Sequence, residues 1–297
     1  DCRIIYETFD SNEIMYTKYM SGNSYDVMVP SEYMIERMIK EDLLQPIDKS
    51  LISNFDNINK DILGQSFDPD NDYWIPYFCG NVGILYDKTI VDKNDLKEGW
   101  NILRNPKYKG QIYMYDSERD SFMVALKALG YSMNTTVEKE IDEAYQWLID
   151  QRSEMEPVYV GDESIDTMIS GVKAMAIMYS GDATTVMSEN PNMEYYLPEE
   201  GTNVWFDGFV ISKECKQTKL ANQFINFMIS NENSYKNTVE VGYLTANVNA
   251  AKKAAEEEYK GISAYQIRTN AKDEVFSYQD NEVKEMYNSR WTKVKAK

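Results

Sequence analysis

Tyr25-Asp26-Val27-Met28-Val29-Pro30-Ser31-Glu32-Tyr33 sets the architecture. Its first five residues read as a short strand. Pro30-Ser31 then opens a helix with Ser31 at the N-cap, and Tyr33, Met34, Arg37 and Met38 recur at helical spacing. The same alternation continues down the chain. Gln111 to Tyr115 and Ala174 to Tyr179 are strand-like. Ser121 to Leu129 and Glu138 to Ile149 are helical, the latter with Ile141, Ala144, Tyr145 and Leu148 on one face. Val204 to Ile211 reads as a strand interrupted at Asp207-Gly208. Leu220 to Ile229 reads as a helix with a stripe of Leu220, Phe224, Phe227 and Met228. A last helix spans Asp280 to Lys297, with Val283, Met286 and Tyr287 inward. Strands alternating with helices define an α/β fold.

The chain has 297 residues, 43% hydrophobic and 27% charged, enough for a large core or two medium lobes. No run approaches a membrane-spanning length, and Asp1-Cys2-Arg3 has no signal-peptide pattern. With 31 basic and 49 acidic residues the net charge is −18. Such a chain repels nucleic acid and anionic membrane surfaces and suits a cationic partner.

There is no histidine, which removes imidazole-based nucleophile pairs and the usual zinc ligands. Cys2, Cys79 and Cys215 are dispersed, without metal spacing, and read as three thiols, Cys79 buried beside Phe78. No Gly-rich phosphate loop or nucleophile elbow appears, so neither cofactor nor metal is expected. An enzyme would have only carboxylates to work with, and runs such as Glu256-Glu257-Glu258 fall on solvent-facing helix positions.

Aromatic side chains pair with carboxylates at strand ends. In Trp205-Phe206-Asp207, Trp205 and Asp207 share one side of an extended chain. Tyr179-Ser180-Gly181-Asp182 and Asp116-Ser117-Glu118-Arg119-Asp120 each lie between a strand and a helix, where ligands of open α/β sheets bind. Carboxylates and ring faces are what hold an alkylammonium group.

These segments resemble the spermidine/putrescine-binding proteins of polyamine ABC transporters. The Tyr25–Tyr33 stretch matches that family's strand and helix start. Matches follow in order at Leu44-Gln45-Pro46-Ile47-Asp48-Lys49, Phe67 to Tyr73, Ile75-Pro76-Tyr77, Leu129-Gly130-Tyr131-Ser132, Asn134-Thr135-Thr136, Trp205-Phe206-Asp207, and Gly242-Tyr243 with Thr245 and Asn247. The resemblance implies a two-lobed periplasmic-binding-protein-like fold of type II, its ligand cleft between lobes joined by several hinge crossings. Crossings are expected near Gly80 to Ile84, Trp205 to Gly208, and Ala250, so that residues 1–82 plus 207–250 form lobe one and 83–206 plus 251–297 form lobe two.

The resemblance also implies a polyamine site of Ser31, Tyr33, Asp120, Tyr179, Trp205, Asp207 and Tyr243. It implies no catalysis, a membrane permease as partner, a monomer, and a place outside the cytoplasmic membrane, whether periplasmic, lipoprotein-tethered or fused to the permease. Ser117 stands where some members carry a second acid. A C-terminal contact near Ser277 to Gln279 is left unassigned. The family's opening strand and aromatic segment have no counterpart, so about 30–40 further residues are expected upstream. Other readings are a carrier of ferric ion, which 23 tyrosines would suit, of an amino acid or of a sugar, and a carboxylate-only hydrolase.

Overall fold

The computed structural model describes residues 3–9, 11–268 and 270–296; Cys2 and Lys297 lie outside them. After residues 3–9, which form no helix or strand, come α1 (Asn12–Met20), β1 (Val27–Met28), α2 (Glu32–Lys40) and β2 (Leu44–Gln45). A long strand, β3 (Trp74–Asp87), leads to β4 (Ile112–Tyr115), α3 (Glu118–Ala128), α4 (Glu138–Met155), β5 (Val158–Val160) and α5 (Ser164–Ile169). Then follow β6 (Met175–Tyr179), α6 (Ser180–Glu189), β7 (Met193–Tyr196) and β8 (Val204–Ser212). The chain ends with α7 (Thr218–Met228), α8 (Asn231–Val241), β9 (Leu244–Thr245), α9 (Val248–Glu257) and α10 (Asn281–Ala296).

β3 organises the sheet. Its first half runs antiparallel to β8, from Trp74 opposite Val210 to Asn81 opposite Val204. Its second half pairs with β6, from Val82 opposite Tyr179 to Tyr86 opposite Met175, and with β7. β1 and β2 flank β8, β9 adds to the first half of β3, and β4 joins β5 and β6 in parallel. One ladder therefore passes through two differently built halves. Each half has its own apolar core. One gathers Met34, Ile35, Met38, Trp74, Ile75, Phe209 and Ile225. The other gathers Val82, Ile84, Trp100, Ile112, Phe122, Ile141 and Leu148. This is the α/β, two-lobed, periplasmic-binding-protein-like arrangement, with strand β3 running through both halves.

Three local expectations are corrected. β8 is continuous through Asp207-Gly208; the irregularity lies opposite, where the register of β3 shifts between Pro76 and Phe78 because proline has no N–H for the ladder. The strand at Tyr25–Val29 shrinks to Val27–Met28. The stripe on α7 is rotated: Ala221, Asn222 and Ile225 are buried, whereas Phe227 is 61% exposed and Leu220 39%. Buried Asn222 explains the rotation, for its Oδ1 accepts the Asp48 N–H at 2.9 Å and turns that face inward. Cys79 is a buried free thiol, as expected.

This packing separates two substitutions. Ile225→Ala removes a fully buried side chain and should cost about 2–5 kcal/mol. Phe227→Ala should change stability by less than about 0.5 kcal/mol. Urea unfolding of both variants checks the rotated face; equal costs would contradict it.

Candidate functional site

Between the two cores lies a cavity of about 810 Å³. All seven residues expected from the sequence line it. Ser31 and Tyr33 come from the start of α2, Asp120 from the first turn of α3, and Tyr179 from the end of β6. Trp205 and Asp207 come from β8, and Tyr243 precedes β9.

Ser31 occupies the N-cap of α2, but its hydroxyl does not cap the helix. It donates to Asp207 Oδ1 at 2.7 Å, and the two residues are also joined by an isolated antiparallel bridge. Asn12 completes this corner. Its Oδ1 accepts the Ser31 N–H at 3.0 Å, and its Nδ2 donates to Ser31 Oγ and to the Tyr33 hydroxyl at 3.1 and 3.2 Å. Burial pushes the Asp207 carboxyl up to about 6, against the opposing Ser31 hydrogen bond.

The facing corner is similar. Asp120 is buried, and its Oδ2 accepts from the Tyr179 hydroxyl at 2.9 Å. Its Oδ1 is buried without a hydrogen-bond partner among the described residues, as is Asn203 Oδ1. Burial again raises the Asp120 pKa, opposed by bonds from Ser117 and Tyr179. Tyr179 stacks on Tyr115 at 4.8 Å and meets Trp205 edge-on at 6.1 Å. Trp205 meets Tyr243 at 5.3 Å.

Two glycines make room for these rings. A Cβ on Gly80, which pairs with Trp205 across the ladder, would lie 2.6 Å from the indole. A Cβ on Gly181 would lie 1.4 Å from the Tyr243 ring. Tyr243 donates to Asp182 Oδ1 at 3.0 Å, and burial raises the Asp182 pKa to about 6.

The cavity wall also includes residues that the sequence does not single out, among them Asn12, Glu32, Arg119 and Asn203. Glu32 is fully buried on α2, and its Oε2 accepts the Phe206 N–H at 2.9 Å. It thereby fixes the backbone between Trp205 and Asp207. Burial pushes its carboxyl up to about 8. Its partner is 174 positions away, so only its place beside Ser31 in the opening stretch could have drawn attention to it. Ser11-Asn12-Glu13 carried a visible helix-start signal, with Ser11 capping α1. Arg119 and Glu118 lie within the strand-to-helix segment Asp116 to Asp120, and burial raises the Glu118 carboxyl to about 7.

The arrangement offers carboxylate acceptors and ring faces within one cavity. Desolvated carboxylates of this kind gain most from a ligand that brings cationic hydrogen-bond donors.

Residues 23–266 match the family described as bacterial extracellular solute-binding protein. The spermidine/putrescine-binding periplasmic protein of Escherichia coli K12 is 32% identical, over 99% of this chain and 84% of that protein. The putrescine-binding periplasmic protein SpuD of Pseudomonas aeruginosa is 29% identical over 99% of this chain and 85% of its own length. Among solved structures, the spermidine/putrescine ABC transporter substrate-binding protein PotD of Streptococcus pneumoniae superimposes with a TM-score of 0.85. It shares 38% sequence identity, with 98% of this chain and 90% of that chain covered.

The raised carboxyls make an unusual stability profile. An acid with a higher pKa folded than unfolded binds more protons in the native state. Its stabilising contribution is full below the ordinary carboxylate pKa and is lost as pH rises through the folded value. For Asp207, Asp182, Glu118 and Glu32 that window runs up to about pH 8. The melting temperature should therefore fall between about pH 5.5 and 8.5, and Glu32→Gln, which keeps the acceptor to Phe206, should flatten the upper part. Calorimetry at stepped pH checks this; a flat profile unaffected by Glu32→Gln would contradict it.

Proposed function

The chain belongs to the bacterial extracellular solute-binding protein family, and from that membership we propose that it captures polyamines, spermidine or putrescine, and hands them to an ABC permease. The carrying observation is the pairing, in one cavity, of buried Asp120 and half-buried Asp207 with the rings of Tyr179 and Trp205. Each ammonium group would meet a carboxylate, while the methylenes between them lie on rings. The unpartnered Asp120 Oδ1 and Asn203 Oδ1 add acceptors that a donor-rich ligand satisfies. Ser31 orients Asp207, Asn12 orients Ser31 and the Tyr33 hydroxyl, and Tyr243 closes the aromatic wall.

No proton transfer or bond making is needed for this role, so the chain acts as a binding protein and not as an enzyme. Its relatives are named as binding proteins of polyamine transport, which favours this reading over ferric ion, amino acid or sugar carriage and over a carboxylate hydrolase. The described residues include no helix long and apolar enough to cross a membrane. We place the protein outside the cytoplasmic membrane as a monomer beside its permease, in the periplasm or tethered there.

Residues 1–82 plus 207–250 and residues 83–206 plus 251–297 are taken as the two lobes. Ser31, Tyr33, Asp207 and Tyr243 then face Asp120, Tyr179 and Trp205, and a ligand touching both groups favours closure by binding the closed state better. Small-angle scattering should show compaction on adding spermidine; an unchanged radius of gyration with binding confirmed would contradict the hinge.

Asp207→Asn keeps shape and removes charge. Spermidine affinity measured by calorimetry should fall by about 2–4 kcal/mol, roughly 30- to 700-fold. Wild-type affinity should itself weaken below about pH 6, where Asp207 takes up its proton. Unchanged binding in Asp207→Asn would contradict the assignment.

A further inference from the structure

The cavity wall built from α2, the start of α3 and α10 carries three cationic side chains, Arg37, Arg119 and Lys284. For a cleft that takes a polycation this is an unexpected lining. Arg37 is paired with Glu41 at 2.9 Å. Arg119 and Lys284 form no ion pair among the described residues.

Arg119 is the most pointed of the three. Its guanidinium carbon sits 3.9 Å from the centroid of the Tyr33 ring and 5.4 Å from that of Phe276. Its Nη1 is buried without an acceptor among the described residues. It stands in the first turn of α3, where the helix dipole disfavours a positive charge, so helix formation does not explain it. Glu118, beside it, also has a buried oxygen without a partner, so the two neighbours do not satisfy each other. Tyr33 is held in place by Asn12 and by Glu13, whose Oε1 accepts its hydroxyl at 3.1 Å. Lys284 lies 4.7 Å from the Tyr278 ring, and it extends the same positive wall.

We propose that Arg119 is a specificity-determining residue of the cleft: its guanidinium occupies one face of Tyr33 as an internal cation, and so limits how many ligand ammonium groups the cleft accepts. This rests on the polyamine reading above. The Asp120, Tyr179, Trp205 and Asp207 side remains open to ammonium groups. A longer polyamine that reaches Tyr33 meets a ring face already taken and a charge of its own sign. Putrescine, with two ammonium groups, is indifferent to Arg119, whereas spermidine and spermine are penalised progressively.

The test is calorimetric titration of wild type, Arg119→Gln and Arg119→Lys with putrescine, spermidine and spermine. Arg119→Gln should raise spermine affinity relative to putrescine by about tenfold, the scale of one additional cation–π interaction together with relief of a like-charge repulsion. Arg119→Lys keeps the charge and should retain the wild-type ratio. Arg119→Met, which keeps the apolar stem, replaces the Gln variant if circular dichroism shows that variant unfolded. An unchanged spermine-to-putrescine ratio in the uncharged variants, or an equal loss for all three ligands, overturns the proposal while leaving the polyamine reading intact. Absence of polyamine binding by the wild type overturns both.

Discussion

Carboxylates taken out of water without an ion-pair partner are the constraint on which this molecule turns. Asp120 and Asp207 are each held by a hydroxyl, from Tyr179 and Ser31, and each is pushed toward its neutral form by burial. A protein under selection for stability alone would pair such groups or replace them. Here the fold gives them no ion pair among the described residues and surrounds them with rings. The energy withheld from folding becomes available to a ligand that supplies the missing positive charge.

The ladder between β3 and β8 makes this possible. Its register puts Gly80 opposite Trp205 and Phe78 opposite Asp207, so the indole lies against bare backbone and the carboxylate beside it faces the cavity. Glu32 reaches from α2 to the Phe206 N–H and pins the same short stretch from the other side. β3 then continues into the second half, where β6 delivers Tyr179 and the α6 start supplies Gly181 under Tyr243. The two corners of the site are thus carried by strands of different halves, β8 in one and β6 in the other, both laddered to the single long strand β3.

Much of the architecture was legible because it follows local rules. Helices α2, α4 and α10 show their inward residues by spacing, and Met38, Ile141, Val283 and Tyr287 are buried as that spacing demands. β3 was not legible. It is buried on both faces over nearly its whole length, so it shows no alternation, and Pro76 interrupts it as a local signal. α7 misled for the opposite reason: Phe227 completes an apolar stripe yet stands exposed, while a polar residue, Asn222, is inside. The seven residues that the family resemblance implied all line one cavity, and only the Trp205–Asp207 pair and the acids and aromatics of the 116–120 and 179–182 segments stood out by local pattern alone. Asn12, Glu32, Arg119 and Asn203 escaped because what defines them is a contact or an orphaned atom that only the tertiary structure creates.

The most direct measurement is a crystal structure of the protein with spermidine bound. One ammonium group should lie within hydrogen-bonding distance of Asp207 and against the Trp205 ring, and another on Asp120 Oδ1 beside Tyr179. A ligand lodged elsewhere, or bound in this cavity with both carboxylates left untouched, would contradict this assignment.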